Sequence, residues 1–333
     1  MIARRAFLIA AGGLVVAPLA RAQPAGRAYR VAIVLAVSPP AEMAGPDPIH
    51  PITRVILHEL RSLGYVEGRN LVFERRTAEG NPARYPEIIA ELVRLKADVI
   101  ILAPSLDLIR AAQSATRSIP LVLMGYRRAV EDGFAASLAR PGGNVTGPVT
   151  GTGSDNDAKR LQVFKEMVPG LRRVAYLAPK VYWDDPESQP VRQAAKMLGI
   201  ELLPVDHHPT DPQVSFAAIA QLRVDGLFVA PSPANYAHRE STGRLAIAAR
   251  LPASVSLPSI VEAGALMSYA PDLLEVQRKV AHYVDRILKG AKPGALPMEQ
   301  PTRFELVINL KTARALGITI PQTILLRADK VIE

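Results

Sequence analysis

The sequence predicts an α/β fold in which two Rossmann-like, doubly wound lobes are joined by a hinge of several chain crossings. Short runs of valine, isoleucine and leucine alternate with longer segments of helical period along most of the chain. With 333 residues, of which 49% are hydrophobic, the chain is long enough to form two buried cores. Proline- and glycine-rich stretches interrupt the alternation at points where the chain could cross from one lobe to the other.

Continuous apolar runs predict the strands, since a strand covered by helices on both faces of its sheet is buried on both sides. The predicted strands are 31–36, 71–74, 99–103, 121–124, 174–178, 201–205 and 226–230. Apolar residues that recur every three or four positions predict the helices between them. The clearest helices are 85–96, 154–168, one beginning near Pro212, 273–288 and a closing helix around 306–316. This alternation predicts parallel sheets.

Three stretches are suited to crossing between the lobes, because proline and glycine interrupt regular structure. They are 140–147, 264–271 and 296–304. The resulting division assigns 27–147 and about 269–296 to an N-terminal lobe, and 148–268 and about 302–333 to a C-terminal lobe. The cleft between the lobes is the predicted binding site, because ligands of doubly wound sheets bind outside the carboxyl ends of the strands.

Residues 1–22 are predicted to be an export signal rather than part of the fold. They contain three arginines and no acidic residue, an apolar run from Ala6 to Ala20, and a small-x-small cleavage site that ends at Ala22. The apolar run is shorter than the roughly 20 residues of a membrane span. Because the pair Arg4-Arg5 resembles a twin-arginine signal, both Sec and twin-arginine export stay open.

The formal net charge of +9 does not by itself predict a nucleic-acid partner. Three of the 40 basic residues lie in the export signal, so its removal leaves 37 basic against 31 acidic residues, a net charge of +6. The rest of the chain has no dense tract of lysine and arginine of the kind that follows phosphates. The absence of cysteine excludes disulfides, thiolate catalysis, cysteine metal sites and a lipid anchor on an N-terminal cysteine.

The motifs of common enzyme classes are missing from the sequence. The six histidines form no helical zinc pair with a glutamate, and there is no Gly-x-Ser-x-Gly nucleophile elbow and no phosphate loop that ends Gly-Lys-Ser/Thr. The sequence therefore predicts no catalytic residue, no metal and no cofactor. A transcription regulator with a two-lobed core would carry a helix-turn-helix domain of roughly 50 residues ahead of it, but here the first predicted strand begins at residue 31.

Four motifs stand out along the chain: GYVEGRN at 64–70, RPGGNVTG at 140–147, ALMSY at 265–269 and PTRFELVINLKTA at 301–313. With KRL at 159–161 and the ending RADKVIE at 327–333, they resemble the bacterial ABC transporter substrate-binding proteins of the tryptophan/tyrosine type. The resemblance covers nearly the whole chain. It implies a fold like that of type I periplasmic binding proteins. It also implies a monomeric periplasmic receptor that presents a small molecule to a membrane permease with its own ATPase.

In the first lobe, the candidate ligand contacts follow strands at their carboxyl ends. Ser38 follows the first strand, and Ser105 with Leu106 forms a strand-to-helix turn whose unpaired backbone N–H groups suit an anion. The resemblance implies that this turn binds the carboxylate of an amino-acid-like ligand. Tyr126 and Arg128 follow the fourth strand. Because the family usually has an aspartate where Arg128 stands, we expect a more anionic ligand than a zwitterionic amino acid, with plain turns, caps or solvated arginines as the alternatives.

In the second lobe, Tyr182 and Trp183 lie in the predicted loop after the fifth strand, and Ser232 and Tyr236 lie in the loop after the seventh. Aromatic faces in a cleft favour an aromatic or hydrophobic ligand. The alternative for Trp183, the single tryptophan of the chain, is packing against its own lobe. Glu262 is a weaker candidate, since most such carboxylates are solvated.

Together with the resemblance, these residues predict the periplasmic substrate-binding component of an ABC importer. Its lobes are expected to close over a small, hydrophobic or aromatic, carboxylated solute. The expected partners are this solute, the permease and its ATPase, with no nucleic acid. A ligand-sensing protein that works with a membrane receptor kinase stays open as an alternative, and an exported α/β enzyme is less well supported.

Overall fold

The computed structural model describes residues 28–150, 153–185, 188–208 and 210–333, without the side chains of 153–155, 233 and 234. Residues 28–150 contain a sheet of five parallel strands in the order β2-β1-β3-β4-β5. The strands are β1 (Tyr29–Leu35), β2 (Leu71–Thr77), β3 (Val99–Leu102), β4 (Leu121–Leu123) and β5 (Val145–Thr146). The helices are α1 (Pro40–Met43), α2 (Pro51–Ser62), α3 (Tyr85–Arg94) and α4 (Leu106–Ala115), with a 3-10 turn at Pro82–Arg84.

The rest of the chain contains a seven-stranded sheet in the order β12-β11-β10-β9-β8-β6-β7. Its strands are β6 (Arg173–Ala178), β7 (Glu201–Asp206), β8 (Gly226–Val229), β9 (Ala253–Val255), β10 (Met267–Pro271), β11 (Phe304–Asn309) and β12 (Lys330–Ile332). The helices are α5 (Gly153–Met167), α6 (Lys180–Asp184), α7 (Gln189–Met197), α8 (Pro212–Gln221), α9 (Pro233–Ala237), α10 (Arg239–Ala248), α11 (Pro258–Glu262), α12 (Leu273–Leu288), α13 (Leu310–Leu316) and α14 (Gln322–Leu325), and a 3-10 turn lies at Pro293–Ala295.

Each sheet has its own hydrophobic core. Strands β1, β3 and β4 form the centre of the first core, and Val280 of α12 is buried in it, so α12 packs on the first lobe beside α2. The second sheet has a core on each face: Tyr176 and Phe228 lie in one, and their strand neighbours Leu177 and Leu227 lie in the other. The predicted α/β class with two doubly wound lobes is thereby confirmed, as are all seven predicted strands to within three residues at each end.

In the described residues the chain passes between the two sheets three times: after residue 150, between β10 and α12, and ahead of β11. Strand pairing keeps β10 in the second sheet to Pro271, and the exact division into lobes stays a prediction. At the first passage, Gly147 has a φ of 133°, and a Cβ there would lie 2.5 Å from the carbonyl oxygen of Leu123. Only glycine fits this close approach of the backbone to β4.

The motif GYVEGRN joins parts of the first lobe that are distant in sequence. Gly64 has a φ of 95° just after α2, a conformation that favours glycine. The hydroxyl of the buried Tyr65 donates a hydrogen bond to Asp285 Oδ1 of α12 at 3.0 Å. The motif therefore ties α2 to α12, and it identifies the scaffold rather than the ligand.

Two details of the predicted pattern are wrong. Strands β10 and β11 pair antiparallel, although the alternation of elements predicted parallel sheets. The segment 306–316 begins as part of β11, and α13 starts only at Leu310, where the Asn309 side chain accepts a hydrogen bond from the Thr312 N–H at 2.9 Å. Three consecutive buried residues fit a strand or a helix equally well, so the pairing of β11 between β10 and β12 decides the outcome.

The predicted export signal at 1–22 lies outside the described residues. Within the part of the chain that the structure describes, no helix is both long and apolar enough to cross a membrane. The described fold starts with β1, and export stays a prediction.

Candidate ligand site between the lobes

The carboxyl ends of the strands in the two sheets face each other. Arg128, in the loop after β4, and Asp185, at the end of α6, form an ion pair with 2.7 Å between Nη1 and Oδ1. His50, ahead of α2, lies close enough to Arg239 of α10 for that cation to lower its pKa. The loops that follow β1 and β4 in one lobe therefore lie against those that follow β6 and β8 in the other. This is the edge at which doubly wound sheets bind ligands.

Three of the predicted contacts lie on the first-lobe side of this edge. Ser38 is buried in the loop between β1 and α1. Ser105 is the N-cap of α4, and its Oγ accepts a long hydrogen bond of 3.5 Å from the Leu108 N–H. Leu106 is half-buried against the first core. The cap that was the alternative for Ser105 is thus present, and ligand contact by these residues stays a prediction.

Tyr126 and Arg128 meet at one carboxylate in the loop after β4. The Tyr126 hydroxyl donates to Asp132 Oδ2, and Arg128 donates to the same carboxylate from Nε at 3.4 Å and from Nη2 at 3.3 Å. The Tyr126 ring lies 5.6 Å from the ring of Phe134. Since Asp185 is a second carboxylate partner, the charge of Arg128 is balanced from both lobes. This geometry favours a bridge between the lobes over an arginine that waits for an anionic ligand.

The predicted aromatic loop of the second lobe is the short helix α6. The Trp183 ring lies 5.6 Å from the ring of Tyr176, and the guanidinium carbon of Arg192 lies 4.8 Å from its centroid. Tyr182 is half-buried against the same core. Trp183 therefore packs against its own lobe, which was the alternative, and contact with a ligand stays a prediction for both aromatic residues.

The second predicted loop of this lobe leads into α9. Ser232 Oγ accepts a hydrogen bond from the Asn235 N–H at 3.1 Å. The buried Asn235 amide donates to the carbonyl oxygens of Ala230 at 2.6 Å and Leu177 at 3.3 Å. These bonds satisfy carbonyl groups at the carboxyl ends of β6 and β8 and hold the start of α9 there. Tyr236, half-buried on α9, is thereby fixed at the edge that faces the first lobe.

Buried titratable groups meet at this edge from both lobes. Burial raises the pKa of Tyr236; the cation of Arg239 opposes the shift, and the carboxylate of Glu42 in the first lobe adds to it. Burial, aided by Arg239, lowers the pKa of His50 to about 4. The Nδ1 of His50 accepts a hydrogen bond from the Thr53 N–H at 3.3 Å and so caps α2. At neutral pH both the phenol and the imidazole are uncharged.

Arg160 of α5 is a buried cation that the sequence analysis did not include among the site residues. Its Nη2 donates to the carbonyl oxygen of Val229, the last residue of β8, at 2.9 Å. The same nitrogen lies 3.3 Å from Asp157 Oδ1, and the guanidinium carbon lies 4.0 Å from the ring centroid of Phe228. Among the described residues, Nε and Nη1 have no hydrogen-bond partner.

Glu262 lies apart from the other candidates in its contacts. Its Oε1 forms an exposed ion pair with Lys330 Nζ of β12 at 2.8 Å, within the second lobe. In the described part of the chain, no group of three or more histidine or acidic side chains could hold a metal ion. The structure thus places nine of the ten predicted residues at the ends of strands β1, β3, β4, β6 and β8, and Glu262 in a surface ion pair.

The site residues that the sequence did not predict lie on helices or several positions after the end of a strand. Asp132 and Asp185 follow predicted candidates by a few positions, and their carboxylates could have been tested as partners of Arg128. Arg160 carries a sequence signal too, because a lone arginine on the apolar face of a helix must be paired or buried against an aromatic ring. Arg239 and His50 are almost 190 positions apart in the sequence, so no local pattern could predict that they lie near each other.

Comparisons with known proteins agree on one class. A family model described as ABC transporter substrate binding protein matches residues 32–332. A Clostridioides difficile protein named tyrosine-binding protein is 25% identical over 267 residues, which cover 78% of this chain and 74% of that protein.

Solved structures match over most of the chain. A conserved domain protein from Vibrio cholerae O1 biovar El Tor is similar with a TM-score of 0.79 and 28% identity, covering 92% of this chain and 100% of that one. An ABC domain from Streptococcus pneumoniae, described as a complex with L-Trp, has a TM-score of 0.78 and 20% identity with the same coverage. At that identity the second likeness concerns the fold alone.

Proposed function

The chain belongs to the family of ABC transporter substrate-binding proteins, and from this premise we propose that it captures a small solute between its lobes and presents it to an ABC permease and its ATPase. The solute is a hydrophobic or aromatic carboxylate of amino-acid-like size. The protein acts as a monomeric periplasmic receptor and not as an enzyme. The observation that carries the proposal is the contact of the two carboxyl edges through the Arg128–Asp185 ion pair.

The permease recognises the form of the protein in which the lobes are closed over the solute. The ion pair between Arg128 and Asp185 joins a first-lobe loop to a second-lobe helix, so it can form only when the two edges are close. Both side chains are part-exposed, and such pairs contribute about 1 kcal/mol or less. A bridge of this strength supports a hinge that opens and closes, because bound solute can shift the balance between the two states.

Aromatic side chains on both sides of the cleft support an aromatic solute. Tyr126 lies on the first-lobe edge and Tyr236 on the second, and rings of this kind bind other rings by stacking or by edge contacts. The relative named tyrosine-binding protein supports the same ligand class. We propose as ligand contacts Ser38, Ser105, Leu106, Tyr126, Ser232 and Tyr236. Trp183 and Tyr182 also hold α6, whose end carries Asp185, and their contact with the ligand stays part of the proposal.

Thermal unfolding of the mature protein tests the ligand class. We would compare unfolding with L-tyrosine, L-tryptophan, benzoate and short peptides, with a neutral sugar as the control. A solute at 100 times its Kd stabilises the folded state by about 2.7 kcal/mol, which raises the Tm by roughly 5 to 10 °C for lobes of this size. No increase with any aromatic carboxylate would contradict the ligand class.

Transport and export need separate measurements. Uptake of the labelled solute in the source organism, with and without the gene, tests the importer role, and unchanged uptake by the deletion strain would contradict it. N-terminal sequencing of the protein from the periplasmic fraction tests export, with Gln23 expected as the first residue.

A further inference from the structure

Arg160 differs from the other charged residues at the interlobe edge because it is fully buried. Within the described residues, its guanidinium has one carboxylate neighbour, Asp157, and one carbonyl partner, Val229. Two of its nitrogens, Nε and Nη1, are buried and lack a hydrogen-bond partner within the described residues. Buried donors of a charged group that remain unsatisfied lower stability, so such a group favours any acceptor that reaches it.

Arg160 lies where a hydrogen-bond acceptor for its Nε and Nη1 would come from a ligand between the lobes. Val229 is the last residue of β8, so the hydrogen bond from Nη2 places the guanidinium at the carboxyl edge of the second sheet. Arg127, in the first-lobe loop after β4, lies close enough to contribute to the lowering of the pKa of Arg160, which is caused mainly by burial. The guanidinium thus lies at the carboxyl edge of the second sheet, the edge that faces the first lobe.

The chemistry of a guanidinium favours an anion as its hydrogen-bond acceptor. Arginine donates only, and its hydrogen bonds to a carboxylate are about twice as strong as those between neutral groups. Phe228 covers one face of the group, so an acceptor approaches in the plane of the guanidinium. The cation of Arg127 in the other lobe acts on the pKa of Arg160 in the direction of repulsion, and a ligand with a negative end would reduce that repulsion.

We propose that Arg160 selects solutes that carry a carboxylate, by donating hydrogen bonds to that carboxylate when the lobes close. This inference rests on the proposed function, since it names the residue that recognises the acidic end of the solute in the same cleft. It moves the role of anion recognition from Arg128, whose charge is balanced by Asp132 and Asp185, to an arginine whose acidic neighbour among the described side chains is Asp157 alone.

Isothermal titration with matched acids and amides tests the selection. The pairs are L-tyrosine with L-tyrosinamide, L-tryptophan with L-tryptophanamide, and benzoate with benzamide. The first two pairs test amino acids, and the third tests aromatic acids without an amine. The parent protein is expected to bind at least one acid about 10- to 100-fold more tightly than its amide. Equal binding of acid and amide would overturn the proposal.

Substitutions separate Arg160 from the rest of the cleft. Arg160→Gln is expected to bring the acid-to-amide ratio close to one, whereas Arg160→Lys should keep part of the preference. The matched control is Arg75→Gln, because Arg75 also lies over a ring, that of Phe73 at 4.9 Å, and also pairs with one carboxylate, Glu67, at 2.7 Å. The control should keep the parent ratio. An unchanged ratio in Arg160→Gln would overturn the proposal.

A second substitution keeps the test decisive if Arg160→Gln does not fold. Asp157→Asn removes the acidic neighbour of Arg160 and keeps the arginine, so the affinity for the acid should rise several-fold while that for the amide stays the same. No rise would count against Arg160. The two proposals fail differently: if no acid or amide binds the parent, the ligand class of the proposed function is wrong, whereas tight binding of both leaves that function standing and removes only the role of Arg160.

Discussion

Two arginines lie at the facing edges of the lobes and are held in opposite ways. The Arg128 side chain, in a loop, is 29% exposed and contacts carboxylates from both lobes. The Arg160 side chain, on a helix, is 1% exposed and has one carboxylate neighbour in the described part of the chain. A position in a cleft loop makes an arginine a candidate for ligand binding, but burial and pairing decide its role. A part-exposed, fully paired arginine suits a reversible bridge, and a buried, underpaired one suits recognition of an anion.

The largest expected difference between the two arginines is in stability. Arg160→Ala should lower the free energy of unfolding by about 3 to 5 kcal/mol, because it leaves the part-buried Asp157 without its cation and opens space beside Phe228. Arg128→Ala should lower it by about 1 kcal/mol or less. Urea unfolding of both variants measures the difference. Equal decreases in the free energy of unfolding would contradict the distinction between the buried Arg160 and the part-exposed Arg128.

The histidines also differ in burial, and the buried His50 predicts that the free energy of unfolding depends on pH. His50 takes up a proton only near pH 4 in the folded protein but near 6.5 when unfolded. The free energy of unfolding should therefore fall as the pH decreases from 6.5 to 4, by up to about 3 kcal/mol from this group, and should not depend on it above pH 6.5.

His50→Asn keeps a residue that can cap α2 and should make this pH profile less steep. Some slope should remain, because burial also lowers the pKa of His207. The control is His58→Asn, because His58 lies at the surface in an ion pair with Asp47. Urea unfolding across this pH range provides the measurement. If the slope were the same in His50→Asn as in the parent, the assignment to the buried imidazole would be wrong.

The bridge itself is expected to have a smaller effect, on affinity rather than on selectivity. Arg128→Ala and Asp185→Ala should each weaken binding of the solute about two- to five-fold, for acids and amides alike. The double variant should lose no more than either single one, since both remove the same contact. Titration calorimetry of the three variants tests this, and loss of the acid preference in Arg128→Ala would return the role of ligand recognition to Arg128.

The smallest expected signal comes from Trp183. Its ring packs between Tyr176 and Arg192, on the short helix whose end carries Asp185. Closure should change its environment slightly, so saturation with a non-fluorescent ligand such as benzoate should produce a small change in tryptophan emission. Asp185→Ala should reduce that change. A large quenching would instead indicate direct contact between the ligand and Trp183.

The predictions from sequence were most successful where a pattern is local. The helix at 273–288 has the same bounds in the structure, because four apolar residues at helical spacing define one buried face. The strands β5, β9, β10, β11 and β12 were missed. In β9 and β10 the buried serines Ser254 and Ser268 interrupt the apolar run. The antiparallel pairing of β10 with β11 was also missed. It joins segments almost 40 residues apart, and no local period contains that information.

For the site, the order of strands and helices was enough to identify the loops at the carboxyl ends of the strands, because that order in an α/β fold implies the edge. The contacts of each side chain at that edge became known from the folded chain. It paired Arg128 with Asp132 and Asp185, placed Trp183 against its own core, and buried Arg160 at the end of β8. The interaction energy of a charged side chain depends on its burial and on its partners, and residues distant in sequence set both.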